Sequence, residues 1–419
     1  MSGQSAATQA SRPIKVLCVH YGEDWIAGSE IALLEMMRWF PTAGVQPALW
    51  CNARAMQGAA AELGIEARRD DLEHFLDYAS PRFSPGAYLR QVRLAGRIIA
   101  ETGADLVHCN SAAPAQWMRW ACWRAGVPMV VNLHAPYLRR SRYVLGVHAA
   151  DRIVAVAEAV AAPLLADGMP PARVSVVPNG FDFEQVLKGQ ALGLRKALGI
   201  PDTAVIGAIA GSLILRKGHD ILFEAMRRLD LPATQFQLLV VGDGPERAAY
   251  EALAAGLPVH FLGHRSDLGA VLRDASDFLI APSRQEAFGR VIVEAAAAGK
   301  PSIGANVDGI PEAIVDGETG LLVEPQSPEA LAQAMIGLIR APEQRLRLGT
   351  AARERAQAEF SITACVARMR AEYDFALQGG PQRPPLAPYL GLIRPRGGRR
   401  PARGIAPAPA NPTGTAPRS

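Results

Sequence analysis

The chain has 419 residues, 49% of them hydrophobic and 20% charged, with a formal charge of +4. That length is too great for one ordinary hydrophobic core and predicts two domains, while the lack of any uninterrupted run of eighteen apolar residues argues against a membrane-spanning helix. The start, MSGQSAATQASRP, has neither the basic region nor the apolar run of a secretory leader, so a cytoplasmic location is expected. Cys18, Cys51, Cys109, Cys122 and Cys365 are scattered without CxxC spacing and suggest core filling, not a disulfide framework or a zinc site.

From Ile14 onward, short β-branched runs alternate with amphipathic helical patterns, as in parallel sheets covered by helices. A first set comprises IKVLCVH, QPALWCN, ADLVHCN, PMVVNLH, DRIVAVA and RVSVVPNG; a second comprises AVIGAIAGS, FQLLVVGDG, VHFLGH, DFLIAPS and KPSIGAN. The predicted fold class is α/β, two doubly wound Rossmann-like domains facing across a cleft, with ligands beyond the carboxyl ends of the strands. The expected division is residues 1–13 as a disordered start, 14–188 and 189–360 as the two domains, and 361–377 as a terminal helix returning to the first domain. Residues 378–419 form the expected tail. The last 39 residues hold seven arginines, ten of the 32 prolines and no acid, and subtracting seven from +4 leaves −3 for the rest. Such a tail reads as a disordered, solvated extension or as one drawn weakly to polyanions, anionic lipid or nucleic acid.

Taken in chain order, the strand-to-helix loops carry the chemistry. In YGEDWIAGSEIALLEMM, Gly28 and Ser29 head a helix, Ser29 as a plausible cap; an anion or acceptor site is the other reading. His134 follows the buried strand of VVNLHAPY, where an imidazole could orient a hydroxyl or simply pack; His108 is the more structural of the two. Arg139, Arg140 and Arg142 face an acidic acceptor, lipid headgroups or plain solvent. In IAGSLILRKGHDILFEAM a strand ends at Gly211, and Arg216 and Lys217 precede a helix start, where the dipole disfavours cations unless an anion such as a diphosphate joins them. Gly242-Asp243-Gly244-Pro245 is half a dinucleotide fingerprint or a plain tight turn.

The segment RQEAFGRVIVEAAAAGK sets Glu286 in a loop and Glu294 eight positions on, in a helix starting near Phe288 with an apolar stripe through Val291, Ile292, Ala295 and Ala296. At helical rise the two carboxylates lie roughly 12 Å apart at most. Paired acid and base action on a glycosidic bond needs about 5 to 10 Å, so the spacing suits two ends of one ligand better, unless both are merely solvated.

In this order these loops resemble the retaining GT-B glycosyltransferases of glycosyltransferase family 4 (glycosyl transferases group 1), over about residues 14–377. The E-x7-E segment is the most specific part, supported by GSLILRKGHD, VVGDGPER, FLGHRSDL, VPNGFD and the Gly28-Ser29-Glu30 loop. The resemblance implies a nucleotide-sugar donor (a UDP- or GDP-sugar) in the second domain, with Arg216 and Lys217 neutralising its diphosphate, so that no metal and no other cofactor is expected. It implies that Glu294 accepts hydrogen bonds from the ribose, that Glu286 with the amides of Ala287, Phe288 and Gly289 holds the sugar, and that backbone near Leu262 meets the base. His134 would lie near the reacting sugar, and the Gly28 loop near donor phosphate or acceptor; Gly211, Gly242 and Gly244 would line the donor site. The implied reaction is hexosyl transfer with retention, by front-face attack without a protein nucleophile, to a saccharide or lipid-linked acceptor. Cell-surface polysaccharide or glycolipid synthesis is the implied setting, with peripheral contact at the inner face of the membrane as an option and no nucleic-acid partner. Gly-Ser-Glu stands where many relatives have two glycines, and Ala287 where a smaller or turn-forming residue is common. The competing readings are a nucleotide-sugar epimerase or a phosphorylase of the same architecture, for which no pyridoxal phosphate lysine is recognisable, and a non-catalytic binding subunit.

Overall fold

A computed structural model describes residues 12–75, 84–190 and 193–381. The expected tail therefore lies outside the described residues from 382 onward, as do residues 1–11; Arg12, by contrast, is tied by a two-pronged bond to Asp105 at 3.0 and 2.6 Å.

The first sheet comprises β1 (Ile14–His20), β2 (Val45–Cys51), β3 (Glu66–Arg69), β4 (Leu106–Asn110), β5 (Met129–Leu133), β6 (Arg152–Ala155) and β7 (Val174–Val176). All its pairings are parallel, in the order β3-β2-β1-β4-β5-β6-β7. The second holds β8 (Val205–Ala210), β9 (Phe236–Val241), β10 (Val259–Gly263), β11 (Phe278–Ala281), β12 (Ser302–Ala305) and β13 (Gly320–Val323), again parallel, in the order β10-β9-β8-β11-β12-β13. Central strands such as β4 and β9 are buried at every position, His108, Asn110 and Gln237 included, which is why they lack the apolar-polar alternation of a half-exposed strand. The two strands absent from the sequence reading, β3 (EARR) and β13 (GLLV), lie at sheet edges, where one neighbour suffices and the apolar signal is short or missing.

Each sheet reverses its strand order once, between β1 and β4 and between β8 and β11. At such a switch point the loops leaving neighbouring strands diverge to opposite faces and open a crevice at the carboxyl ends. The candidate residues described below lie on loops leaving these strands and their neighbours β5, β9 and β12.

The chain crosses between the sheets twice, side by side. Phe181 pairs with Ser361: its amide donates to Phe360 O, and Ile362 N donates to Phe181 O, both at 2.9 Å. Beyond the second crossing, helix Ile362–Gly379 buries Cys365, Val366, Met369 and Tyr373 in the core that contains Val16, Cys18 and Leu33 of the first domain. Tyr373 Oη lies 2.8 Å from Nδ1 of the fully buried His108, and Arg370 donates to the carbonyls of Ala43 and Gly44. The five cysteines are all free and buried.

Tyr373→Phe leaves a buried ring nitrogen of His108 without its partner. Loss of such a bond costs about 1 to 3 kcal/mol, so thermal denaturation should show a Tm lower by several degrees with unchanged donor turnover. An unaltered Tm would show that the pair contributes nothing.

Candidate active site

Four loops of the second domain meet at the cleft. After β8, Gly211 takes a φ of 138°, and after β9, Gly242 takes 136°. A Cβ on Gly242 would stand 2.0 Å from Gly211 O, and one on Gly244 2.6 Å from Leu213 O. The loops also exchange bonds: Leu213 N donates to Asp243 O at 2.9 Å and Glu246 N to Leu213 O at 3.1 Å. Backbone packing against backbone thus accounts for these glycines locally. Leu262, on β10, falls where the register with β9 skips a residue, so it is left out of the regular ladder.

Arg216 and Lys217 occupy the short 3-10 turn Leu215–Lys217, and Gly218 turns the chain into helix His219–Arg228. No side chain fits at Gly218, since a Cβ would lie 2.1 Å from Pro282 O. That close approach lays the turn against the loop after β11. Arg284 N donates to Arg216 O at 2.8 Å, Arg216 Nη1 donates to Gln285 O at 3.1 Å, and the Arg284 guanidinium forks onto Asp220 at 2.8 and 2.6 Å.

The outcome is a contact between Lys217 Nζ and Glu286 Oε2 at 2.5 Å, with the two side chains 16% and 13% exposed. Ser283 Oγ approaches the same carboxylate oxygen at 3.4 Å. The Glu286 backbone is held by a third loop, after β12: its amide donates to Asp308 Oδ2 at 3.1 Å and its carbonyl accepts from Gly309 N at 2.9 Å. Gly309 is again obligatory, because a Cβ would sit 2.0 Å from Ala287 O. Ala287, Phe288 and Gly289 follow, and the helix starts at Arg290, not near Phe288, because Gly289 adopts the left-handed conformation (φ 83°) that ends the loop. Lys217, Ser283, Glu286 and Gly289 line one pocket with Ala210 and Pro282.

Glu294 lies on helix Arg290–Ala297, and its carboxyl is pushed upward by burial, against the pull of Arg290 and Lys217. Lys217 therefore touches Glu286, while the cation nearest Glu294 in contact is Arg290, at 3.8 Å.

In the first domain, β1, β4 and β5 end in a connected polar row. His134 Nε2 lies 2.7 Å from Asn110 Oδ1; Asn110 Nδ2 lies 3.3 Å from both His20 Nδ1 and Ser29 O; His20 Nε2 lies 3.2 Å from Glu30 Oε1. Since an amide oxygen only accepts, His134 carries its proton on Nε2 and keeps Nδ1 as an acceptor. Burial, then the nearby His108, Arg290 and His20, lower His134 to about 3, and burial also lowers His20 despite Glu30. Gly28 and Ser29 lie in the first turn of helix Gly28–Trp39, whose N-cap is Ala27. Ser29 is thus not the cap; its hydroxyl donates to Glu30 Oε2 at 2.9 Å, and Glu30 instead accepts from the Ala27 amide at 3.2 Å. Arg139 and Arg142 find a partner within the first domain. Both grip the buried carboxylate of Asp167, at 3.1 and 2.6 Å, leaving only Arg140 exposed.

Two bridges across the cleft escaped the sequence reading. Arg290 Nη2 binds Glu35 Oε2 of the first domain at 3.1 Å, stands 3.8 Å from Glu294 and covers the Phe181 ring at 4.4 Å, beside Gly28. Glu312 spans to the amide end of helix Glu158–Ala166, accepting from Glu158 N at 2.8 Å and Ala159 N at 3.1 Å. The available signal for Arg290 was a cation at the positive end of a helix, which needs a carboxylate partner that only the fold supplies. Among the described residues, no cluster of three or more His, Cys, Asp or Glu is placed to hold a metal ion, and no helix is long and apolar enough to cross a membrane.

Two doubly wound parallel sheets facing one another, with the basic turn and the two glutamates at their carboxyl ends, define a glycosyltransferase of the GT-B type. Residues 193–355 match the family model for glycosyl transferases group 1 and residues 26–185 that for glycosyltransferase family 4. The chain is 31% identical over 326 residues to D-inositol 3-phosphate glycosyltransferase 1 of Catenulispora acidiphila, covering 69% of this chain and 77% of that one. It is 37% identical over 222 residues to the D-inositol 3-phosphate glycosyltransferase of Corynebacterium glutamicum, covering 49% and 53% of the two chains, so the match spans about half the length of that relative. The fold is shared with the Anabaena protein Alr3699/HepE in complex with UDP and glucose (TM-score 0.72, 22% identity, 86% of this chain and 98% of that one). It is shared as well with a glycosyltransferase from Rickettsia africae (TM-score 0.76, 22% identity, 88% and 100%). The chain belongs to glycosyltransferase family 4.

With its pKa lowered to about 3, the His134 ring stays neutral across the physiological range. Because its folded value lies below the ordinary 6.5, protonation favours the unfolded chain: this contribution to stability is complete above pH 6.5 and falls as the pH drops from there toward 3. The His134 ring signals in NMR should not shift between pH 8 and about 5; a midpoint near 6.5 would contradict this environment.

Proposed function

We propose that this glycosyltransferase moves a hexosyl unit from a UDP- or GDP-sugar to a hydroxyl acceptor with retention of configuration. The contact that carries this reading is Lys217 against Glu286, with Glu294 under the influence of the same cation. A lysine ammonium has three donors, so Lys217 can keep Glu286 and also meet a phosphate oxygen. Arg216 beside it adds a second positive charge, and together they stabilise the negative charge that gathers on the departing diphosphate. Glu286 then takes a sugar hydroxyl, and Glu294, one helical stretch further on, takes the ribose. The complexes of Alr3699/HepE with UDP and with UDP-glucose support a uridine donor.

No protein nucleophile enters this scheme. As the bond from the anomeric carbon to the phosphate oxygen breaks, the acceptor oxygen attacks on the same face and its proton passes to the phosphate oxygen. The engagement of Glu286 by Lys217 supports this, since a carboxylate held by a cation is a poor nucleophile. Neutral His134 can orient a hydroxyl through a hydrogen bond without supplying charge. The acceptor is a saccharide or lipid-linked hydroxyl in cell-surface polysaccharide or glycolipid synthesis, or, by the names of the relatives, an inositol phosphate.

Incubation with UDP-, GDP- and ADP-sugars, with and without chelator, should give nucleotide release from one donor that survives chelation. Lys217→Ala and Glu286→Gln should each lower turnover by about 10² to 10³ in a folded protein, by analogy with lost transition-state donors. Glu294→Gln should act mainly on KM for the donor, raising it about tenfold. Near-normal turnover in the Lys217 or Glu286 variant would refute the donor site. Stabilisation by a nucleotide with no release from any donor would point to a binding subunit.

A further inference from the structure

We propose that the outer face of helices Pro85–Thr102 and Ala115–Ala125 is a docking surface for an anionic lipid bilayer. The helices are neighbours on one side of the first sheet and share its core through Ala95, Ile98, Trp117 and Met118. Their other faces are exposed and have an unusual composition. Arg90, Arg93 and Arg97 recur at helical spacing along one exposed face of the first helix, next to Leu89, which is 50% exposed. On the second helix Trp120 and Trp123 are 44% and 52% exposed and lean edge to face at 6.3 Å, flanked by Arg119 and Arg124.

Acid is sparse here: Glu73 is bonded through its backbone to Gln91, and Asp151, buried in the cavity with Arg119 and Trp123, accepts from Met129 N at 2.7 Å. The sequence has no Asp or Glu from Pro85 to Ala100 or from Leu106 to Ala150. The two carboxylates between those stretches are occupied, Glu101 by Arg68 at 2.8 Å and Asp105 by Arg12 at 2.6 Å. The described chain also ends here: Pro381 shares a small cavity with Arg119, Trp123 and Asp151, and the sequence from Pro381 onward adds seven arginines and no acid.

Exposed indoles among arginines suit the headgroup region, where the ring has an apolar body and a polar N–H, and the guanidinium groups meet lipid phosphates. A second copy of the chain does not fit, because five like charges would face five. Single-stranded nucleic acid is disfavoured as well: a base needs an open ring face, whereas the Arg119 guanidinium already stands over Trp120 at 5.4 Å, and Trp123 packs against its edge. Helix Ala115–Ala125 starts five residues beyond Asn110 of the cleft row, so a bilayer on this face would lie beside the first-domain side of the site.

The test is sedimentation of the full chain with phosphatidylcholine vesicles with and without phosphatidylglycerol, at low and high salt. The chain should partition onto the mixed vesicles alone, and salt should weaken the partition. Trp120→Ser/Trp123→Ser should lower it at least about tenfold, and Arg90→Gln/Arg93→Gln/Arg97→Gln about a hundredfold, on the scale of one arginine at an anionic surface. Both variants should keep the wild-type circular dichroism and release nucleotide from soluble donor at the wild-type rate, which separates a failure of docking from a failure of the donor site. No partition of the wild-type chain would overturn the proposal, as would partition unchanged in both variants. Oligonucleotide binding lost in both variants, without vesicle binding, would assign the face to nucleic acid instead.

Discussion

The contact between Lys217 and Glu286 depends on backbone approaching backbone more closely than any side chain allows. Gly218 lies against the Pro282 carbonyl, Gly242 against that of Gly211 and Gly309 against that of Ala287, each where a Cβ would come within about 2 Å. These three approaches join the loops after β8, β9, β11 and β12 into one layer. A methyl group at any of them would push two loops apart and separate a lysine from a carboxylate that now touch.

The same layer couples the site to the other domain. The loop after β12 holds Glu286 through Asp308 and Gly309 and, three residues later, sends Glu312 to the amide end of helix Glu158–Ala166. Arg290, immediately after the loop that carries Glu286, reaches Glu35 on the opposite side and leans on Phe181 at the interdomain crossing. The elements that hold Glu286 and Glu294 are therefore also those that span the cleft. In the first domain His134, Asn110 and His20 form a hydrogen-bonding row that ends at the carboxylate of Glu30.

Much of this organisation was legible in the residues. Strands buried on both faces wrote themselves as largely apolar runs, and helix ends were marked by Gly, as at Gly299, which follows helix Arg290–Ala297, with Pro301 two residues beyond. The edge strands β3 and β13 were not legible, because EARR carries no apolar signal and GLLV is only four residues long. Ser29 looked like a cap because its residue type suits one, yet the helix starts two residues earlier and Glu30 takes the capping role. The arginines at 139 and 142 read as solvated or as facing an anionic ligand, whereas Asp167, distant in sequence, is their partner.

The sequence by itself determined the α/β class and the two sheets with their strand-to-helix loops, because alternation, helical spacing and glycine placement are local properties of a chain. Only the tertiary structure decided that Lys217 meets Glu286, that Asn110 sets the proton position of His134, and that Arg290 and Glu312 join the two domains. Each of these contacts links residues at least 24 positions apart, and their partners are chosen by how sheets stack and loops pack, which no local pattern encodes.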